Sequence, residues 1–438
     1  MKKQTTEGEK QMKKLLSSVL CLLFVFLCQA SFAADEKKEI DELKSRLDVL
    51  ENRVKDAEVV DELGHKLHPI HSLYGLKISG SLTVSAHGVN HIKGDAKQKG
   101  AATISADITI ESPVGRDGRA VVVLDYEQGA GIQNLPAFFT GPNGNPTGYN
   151  ADIESFDDNS VHLTQVYYEH NITPSLAASV GKLDITGYFD ANDFANNERT
   201  QFLATIFVNN PAIEFGGSAD FYGPGVRVTW FPVENIDISL GAFEGDGDFT
   251  DTFDKPFLMA ELNFNFKPLD KNGNYRFYYW DRQGRPDVTN TANPNDPELA
   301  RAENKGFGFS IDQSITDTVG VWLRAGAQRE KVAQFDRHIS GGLSITGESY
   351  GRANDSIGLA YGATFMGKDY KDFKETSSPG FKAGTEHYTE LYYSYAISHA
   401  EPDRGFHITP DLQYVVNPGG DKDASKLLIY GIRLQAFF

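Results

Sequence analysis

The last eleven residues, 428–438, alternate strictly between two kinds of side chain, which restricts the folds open to this chain. The even-numbered positions are all apolar or aromatic, whereas the odd-numbered ones include Arg433 and Gln435. A β-strand rises about 3.3 Å per residue, so a segment of this length, tilted by about 40°, crosses an apolar layer about 25 Å thick. A slip of one residue would place Arg433 in hydrocarbon at a cost of about 2–4 kcal/mol. The pattern therefore predicts a membrane-spanning strand with one face toward lipid.

The same alternation recurs from residue 76 onward, most clearly over residues 76–87 and 102–111, where apolar side chains alternate with polar ones. Together with the last strand, these segments predict an all-β fold over residues 76–438, a transmembrane antiparallel β-barrel of about sixteen strands. The further candidate strands begin near Arg119, Val161, Ser175, Gly225, Ile236, Phe257, Asn274, Gly306, Thr318, Arg337, Asp355, Thr385 and Gly405.

The connections between these strands alternate in length, which is typical of a bacterial barrel with short periplasmic turns and long external loops. The main rival fold, a soluble β-sandwich, would not need this regularity. The short turns are residues 112–117, 171–174, 232–235, 268–273 and 314–317, and the long connections are residues 129–160, 185–224 and 283–305.

Residues 1–33 have the features of a secretory signal peptide: two lysines, an apolar run over 15–27, and small residues before a cleavage site after Ala33. Cys28 would suit a lipoprotein, but Leu27 stands where such a site needs a small residue. Both cysteines lie in this segment, so the mature chain is expected to contain neither disulfides nor thiolate metal sites.

Residues 34–64 are predicted to form a periplasmic helix, joined to the barrel by a linker over residues 65–75. Heptad positions a and d over residues 35–63 are apolar, which favours a short coiled coil. A single amphipathic helix on the periplasmic rim is the alternative, since fewer than four heptads are marginal alone. The pattern is compatible with a homotrimer, although it does not distinguish two strands from three.

Charge and motifs exclude several classes of function. The formal net charge is −18, and it becomes −21 once the five lysines and two glutamates of residues 1–33 are removed, so nucleic acid is not an expected partner. No run of 18 apolar residues follows the signal peptide, which argues against a helical span. Sequence signatures of hydrolases, nucleotide-binding enzymes and metalloproteases are absent, so we expect no enzyme activity, no cofactor and no metal site.

Successive side chains of a strand point to opposite sides of the wall, and this strand parity predicts which of them face the water-filled interior. Both signs of charge appear there, which suits neutral polyols better than one class of ion, because vicinal hydroxyls can donate to carboxylates and accept from guanidinium groups. The candidate constriction and substrate-binding residues are Lys182, Asp184, Asp190, Asn192, Glu198, Arg199, Trp280, Trp322, Arg324, Asp411, Gln413 and Arg433.

Trp280 and Trp322 share the inward parity and allow two interpretations, stacking on a sugar ring or packing against a loop folded into the lumen. Trp230 has outward parity near a short turn, which predicts a position in the aromatic belt. The connection over residues 185–224 mixes acidic, amide and arginine side chains with phenylalanines. A loop that only faced solvent would need fewer aromatic residues, so we expect this loop to fold inward and narrow the pore.

Several stretches resemble the carbohydrate-selective porins of the OprB type. The matching residues include Gly181-Lys182-Leu183-Asp184, Tyr188-Phe189-Asp190, Leu323-Arg324-Ala325-Gly326, Arg352 with Asp355, and the segments 407–414, 417–420 and 431–433. They follow one another in family order over about residues 180–433. The resemblance implies a sixteen-stranded outer-membrane pore that passes glucose and related sugars down their gradient.

The sequence thus predicts a porin for passive diffusion of sugars in the bacterial outer membrane, in contact with its lipid and lipopolysaccharide. One alternative is a general diffusion porin without sugar preference. The other is a structural tether between the outer membrane and the cell wall, with residues 35–63 making the cell-wall contact.

Overall fold

The computed structural model describes residues 75–90, 100–129, 161–215, 222–245, 254–286, 301–401 and 404–438, with the single residues 135, 137, 138, 249 and 252. The signal peptide (1–33), the helix or coiled coil (34–64) and all but the last residue of the linker (65–75) lie outside the described residues. The body considered below is Gly75–Phe438. Among the described residues, no helix is long and apolar enough to cross a membrane.

Sixteen antiparallel strands form one closed sheet in which each strand pairs with its sequence neighbours and β1 pairs with β16. The prediction of a sixteen-stranded antiparallel barrel is confirmed. The strands are β1 Lys77–Asn90, β2 Gly100–Val114, β3 Gly118–Gln128, β4 Val161–Thr173, β5 Leu176–Asp184, β6 Tyr222–Val233, β7 Ile236–Phe243, β8 Phe257–Phe266, β9 Gly273–Pro286, β10 Arg301–Ser314, β11 Val319–Gln328, β12 Phe335–Thr346, β13 Ser356–Met366, β14 Thr385–Glu401, β15 Arg404–Val416 and β16 Leu427–Phe437.

The last strand closes the barrel in the register that its side-chain pattern requires. Val84 of β1 lies opposite Leu434, and Ser85 lies opposite Arg433. On the outside of the seam apolar residues therefore face apolar residues, and inside it Thr83 and Ser85 face Gln435 and Arg433, whereas Val89 faces Ile429 nearer the long loops. Closure also satisfies the backbone groups of both terminal strands, which hydrocarbon cannot do.

The outer wall is mainly apolar, as strand parity predicts, whereas the inner wall carries the buried polar and charged side chains, with aromatic and aliphatic residues such as Tyr388 and Ile429 among them. Tyr430 and Ile432 of β16 are 47% and 42% exposed, whereas Arg433 between Ile432 and the next outward residue is fully buried inside. Trp230 is exposed on the outer wall, three residues before β6 ends at Val233, which fits the predicted aromatic belt.

The two ends of the barrel differ in their connections. Turns between even-numbered strands and the strands that follow them are short, as between β4 and β5, and this end is called the short-turn end. The opposite, long-loop end carries the connections that contain helices α1 Ile185–Tyr188, α2 Thr205–Val208 and α3 Lys368–Ser377. Single 3-10 turns occur at Pro268–Asp270, Gly347–Tyr350 and Pro418–Gly420.

Strand boundaries were predicted less well at the long-loop end. β10 begins at Arg301 and not near Gly306, and β6 begins at Tyr222 and not near Gly225. Beyond the membrane edge a strand has water on both faces, so the alternation that reveals it in the sequence is no longer required.

We expect Ile432→Arg to destabilise the folded barrel by about 2–4 kcal/mol, because the side chain lies midway along β16 on the lipid face. Urea unfolding from lipid vesicles measures the change. Ile315→Arg, in the exposed turn between β10 and β11, is the matched control and should change the free energy of unfolding by less than about 1 kcal/mol. Equal effects at the two sites would contradict the placement of Ile432 in the apolar band.

Candidate functional site

Residues 185–215, which follow β5 and contain α1 and α2, form a segment that we call the constriction loop. Its atoms bond to inward side chains on β2, β8, β10, β11, β14 and β16. These strands lie on different sides of the barrel. One segment can contact all of them only if it crosses the interior. The constriction loop therefore lies inside the barrel.

Arg324 on β11 makes the most extensive contact with the constriction loop. Its two terminal nitrogens donate to the carbonyl oxygens of Ala195 (2.5 Å), Phe207 (2.6 Å) and Asp190 (2.8 Å) and to Asn196 Oδ1 (3.0 Å). Its Nε lies 3.1 Å from Asp190 Oδ2, and both side chains are fully buried. The planar guanidinium thus joins both halves of the loop to the wall.

Asp190 sets the course of the constriction loop after α1. Its φ of 59° lies in the left-handed region, where a residue other than glycine is under strain. Three bonds hold it there: its carboxylate pairs with Arg324, its Oδ2 accepts from Asn210 N (2.6 Å), and its own N–H donates to Glu261 Oε2 (2.8 Å). Burial raises the pKa of Asp190, and the guanidinium of Arg324 opposes that rise.

A second set of contacts fixes the middle of the loop. Arg433 on β16 donates to the carbonyl oxygens of Glu198 and Gln201, the latter at 2.7 Å. Glu390 on β14 accepts from two successive loop amides, those of Leu203 (2.5 Å) and Ala204 (2.9 Å). These charged groups satisfy loop backbone that would otherwise lie unpaired inside the barrel.

Asn192 holds the first part of the loop against β10. Its Nδ2 donates to Ser310 Oγ (3.2 Å) and to the carbonyl oxygen of Ile311 (3.3 Å), while its Oδ1 accepts from Phe194 N (3.1 Å). Asn192 therefore acts as a wall contact, and it does not present its amide to the open part of the lumen.

The two inward tryptophans pack against the constriction loop. Trp322 lies between Phe202 and Phe207, with ring centroids 5.7 and 5.9 Å away. Trp280 donates from Nε1 to the carbonyl oxygen of Ala212 at 3.2 Å. Their exposed fractions are 3% and 0%, so neither indole offers a face to a solute. Of the two interpretations of their inward parity, the structure favours packing.

Asp411 and Gln413 on β15 belong to the wall behind Glu390. Gln413 donates from Nε2 to Asp411 Oδ1 (2.8 Å) and accepts from the Tyr388 hydroxyl (2.6 Å). Both side chains are buried. They support the strand that carries Glu390, and neither is presented to the passage.

An open passage remains beside the constriction loop, mainly along β1 to β5, with residues of β10 to β12 at its long-loop end. It is a cavity of 1210 Å³. The lining residues include Lys77 and Phe438 at the short-turn end and Gln328 and Gln334 at the long-loop end, so the cavity reaches both mouths. At the level of the loop it is lined by Asp107, Thr109, Asp125, Thr164, Gln165, Asp184, Asn196, Asn197, Glu198, Arg199 and Thr200.

Arg199 is the centre of the charged part of this passage. Its Nη2 donates to Asp107 Oδ1 at 2.8 Å, and its Nη1 lies 3.7 Å from Glu198 Oε1. Asp125 and Asp184 are also close enough to interact with it electrostatically. Burial raises the pKa of the Glu198 carboxyl, and the Arg199 guanidinium opposes the rise.

Asp184 lines the passage because β5 ends there and the chain turns inward. Its Oδ1 accepts from Thr186 N at 2.9 Å and from Thr186 Oγ1 at 2.7 Å, so it caps α1. Among the predicted residues, Asp184, Glu198 and Arg199 are the three that line the cavity.

The inward assignment of Lys182 is wrong. In β5, Ser179 and Leu183 are buried on the inner face, whereas Val180 is 51% exposed on the outer one. Lys182 shares the parity of Val180, and its Nζ donates to the carbonyl oxygen of Leu163 at 2.9 Å. Alternation along an uninterrupted strand therefore places this lysine on the outer wall.

Sequence reasoning left out several residues that matter for the site. Glu390 and Glu261 have inward parity, but nothing in the sequence indicates that they accept loop amides. Asp107 and Asp125 also have inward parity, and only the position of Arg199 makes them part of the charged passage. Within the described part of the chain, no three side chains are grouped in a way that could hold a metal ion.

Comparisons with known proteins agree with this architecture. A family profile described as "Carbohydrate-selective porin, OprB family" matches residues 93–438. The high-pH structure of Pseudomonas putida OprB superposes with a TM-score of 0.66 at 16% identity, covering 86% of this chain and 97% of that one. The outer-membrane channel DcaP of Acinetobacter baumannii superposes with a TM-score of 0.51 at 13% identity, covering 83% and 97%. At these identities the two structures bear on the fold alone.

A curated relative from Aquifex aeolicus (strain VF5), described as an uncharacterized protein, is 25% identical over 255 residues. The match covers 58% of this chain and 62% of the relative, so the chain spans less than two thirds of that protein's length.

We expect Arg324→Gln to destabilise the barrel by about 3–5 kcal/mol and to raise its single-channel conductance, because Asp190 would be left buried without its partner and the loop would lose its main anchor. Urea unfolding and planar-bilayer recordings measure the two effects. Arg329→Gln is the control, since its ion pair with Glu303 is exposed and contributes at most about 1 kcal/mol. An unchanged conductance in Arg324→Gln would contradict the anchoring role.

Proposed function

Because the chain belongs to the OprB family of carbohydrate-selective porins, we propose that it forms an outer-membrane channel through which glucose and related sugars diffuse passively. The observation that carries this proposal is the passage beside the constriction loop, where one guanidinium, several carboxyl groups, amides and hydroxyls line a space of 1210 Å³. The family is non-enzymatic, and transport here needs no covalent step.

The chemistry of the passage supports a neutral, hydroxylated solute. Carboxylates such as those of Asp107 and Glu198 accept hydrogen bonds from sugar hydroxyls, and Arg199 donates to their oxygens from a rigid fork. A solute of one charge would meet groups of like charge in the same short stretch. A sugar instead exchanges its hydrogen bonds to water for hydrogen bonds to both the carboxylates and the guanidinium group.

Passage also requires that no single contact be strong, because tight binding would slow release. In this proposal Asp184, Glu198 and Arg199 contact the solute. Asp190, Asn192, Trp280, Trp322, Arg324 and Arg433 hold the loop that brings those three groups into the passage, with Asp411 and Gln413 supporting the wall. The solute moves from the long-loop mouth, which faces the outside of the cell, to the short-turn mouth in the periplasm.

The surroundings of the barrel are part of the same proposal. The apolar outer wall suits contact with outer-membrane lipid and lipopolysaccharide. Residues 35–63 are proposed to lie in the periplasm as a coiled coil that joins copies into a homotrimer and contacts the cell wall; the heptad pattern supports association but does not set the number of strands.

Liposome swelling tests the sugar preference. We expect vesicles that contain the protein to swell faster in glucose than in an uncharged amino acid of similar size, because only the sugar carries several hydroxyls that match the carboxylate and guanidinium groups of the passage. Equal rates would contradict a sugar preference and would instead support a general diffusion porin.

The heptad pattern favours one further candidate, a tether between the outer membrane and the cell wall. We expect deletion of residues 35–63 to leave glucose permeability unchanged, because the passage is built from residues 77–438. Vesicle swelling and the release of periplasmic proteins from cells measure the two roles separately. Release of periplasmic proteins from cells whose glucose permeability is unchanged would show that tethering is a second role. Loss of glucose permeability would contradict a passage formed by residues 77–438 alone.

A further inference from the structure

The side chains that line the passage carry unequal numbers of acidic and basic groups. Among the described lining residues the bases are Lys77, at the short-turn mouth, and Arg199, at the level of the loop. The acidic lining residues are Asp107, Asp125, Asp184, Glu198 and Glu214. His407 also lines the passage and adds a positive charge only when it is protonated. The passage therefore contains both signs of charge, with an excess of negative ones.

The buried arginines of the interior do not correct this imbalance. Arg324 and Arg433 hold the constriction loop, and Arg276 on β9 pairs with Asp312 on β10 at 2.5 Å. All three arginines are more than nine-tenths buried, and none of them lines the passage. The groups that fix the loop in place thus contribute no N–H donor to the space through which a solute moves.

The excess of negative charge is greatest at the level of the constriction loop. Asp107 and Asp125 lie directly opposite each other on β2 and β3. Arg199 donates to Asp107 at 2.8 Å and lies within electrostatic range of Asp125 and Glu198. One guanidinium cannot balance three carboxylates, and Asp184 adds a fourth to the same stretch.

Asp125 is the carboxylate with the least compensation. Its side chain lines the passage and is 4% exposed, and its Oδ1 accepts no hydrogen bond within the described residues. Like charges on opposite residues of neighbouring strands repel each other, so the Asp107–Asp125 pair needs positive charge nearby. Arg199 supplies part of that charge. A cation in the passage would supply the rest.

The charges of this stretch act on a solute both by contact and through space. The side chains of Asp107, Glu198 and Arg199 are 16%, 17% and 22% exposed, so they extend into the open space. Asp125 is too covered for direct contact, but low-dielectric walls concentrate its field in the water of a narrow passage. At about 0.1 M salt the Debye length is about 10 Å, so screening leaves much of this field in place.

We propose that the passage selects among charged sugars by the sign of their charge, and that it passes protonated amino sugars more readily than sugar acids. Asp125 and Glu198 attract the ammonium group, and Arg199 limits the preference. The hydroxyl groups of both kinds of sugar find the same partners, so the charged substituent decides between them. The inference rests on the proposed function, because it specifies which sugars the same passage admits.

Planar-bilayer recordings across a gradient of N-methylglucamine gluconate test the charge selection. The cation and the anion of this salt are open-chain sugar derivatives of similar size, so a reversal potential reports selection by charge. At about pH 8 the alkyl amine is protonated and carboxyl groups are ionised. We expect the cation to be about fivefold more permeant than the anion in dilute salt. The ratio should fall toward one at about 1 M salt, where the Debye length is about 3 Å.

Two substitutions should shift this permeability ratio in opposite directions. Asp125→Asn removes a negative charge and should lower the ratio about twofold, whereas Arg199→Gln removes the positive charge and should raise it about twofold. A loop that was merely loosened would move both ratios toward one. Asp317→Asn is the matched control, because its side chain is 83% exposed in the β10–β11 turn, and it should leave the ratio unchanged.

A wild-type ratio near one would overturn the charge selection, as would shifts of the same sign in Asp125→Asn and Arg199→Gln or an equal shift in Asp317→Asn. Because Asn is nearly isosteric with Asp, an unshifted ratio in Asp125→Asn is decisive even if Arg199→Gln does not fold. Vesicle swelling separates the two proposals. Glucose preference with a ratio near one overturns the charge selection only, whereas equal swelling in glucose and the uncharged amino acid overturns the proposed function.

Discussion

The absence of hydrogen-bonding partners in hydrocarbon is the constraint on which the rest of this structure depends. Every backbone N–H and C=O at membrane depth must pair within the wall, and the β1–β16 seam completes that pairing. Once the wall is closed, side chains can only point toward lipid or toward water. The apolar outer face and the polar interior both follow from this one condition.

The loop that folds into the lumen of the closed barrel also has backbone N–H and C=O groups that need hydrogen-bond partners. The wall supplies them with charged side chains. Arg324 and Arg433 donate to loop carbonyl oxygens, and Glu390 accepts from loop amides. These bonds hold the loop against the opposite wall and leave Glu198 and Arg199 beside an open passage, in which Arg199 reaches Asp107 on β2. The position of the passage thus depends on residues that do not line it.

Strand parity predicted most of the wall and much less of the site. It identified Arg324 and Arg433 as inward, yet their partners are main-chain carbonyl oxygens, which have no signature in the sequence. It placed Trp280 inward, but only the folded loop shows that the indole is fully covered. For Lys182 the assignment was wrong, because parity in β5 is set by its neighbours Val180 and Leu183.

The sequence by itself determined the sixteen-stranded barrel, its two faces and the absence of enzyme signatures, since these follow from alternation and composition over short stretches. Only the tertiary structure decided which inward groups hold the loop and which face the passage. The reason is distance along the chain: Arg433 bonds to Gln201, 232 positions away. A local pattern indicates that a side chain faces the water-filled interior, but it does not indicate which distant segment of the chain also lies there.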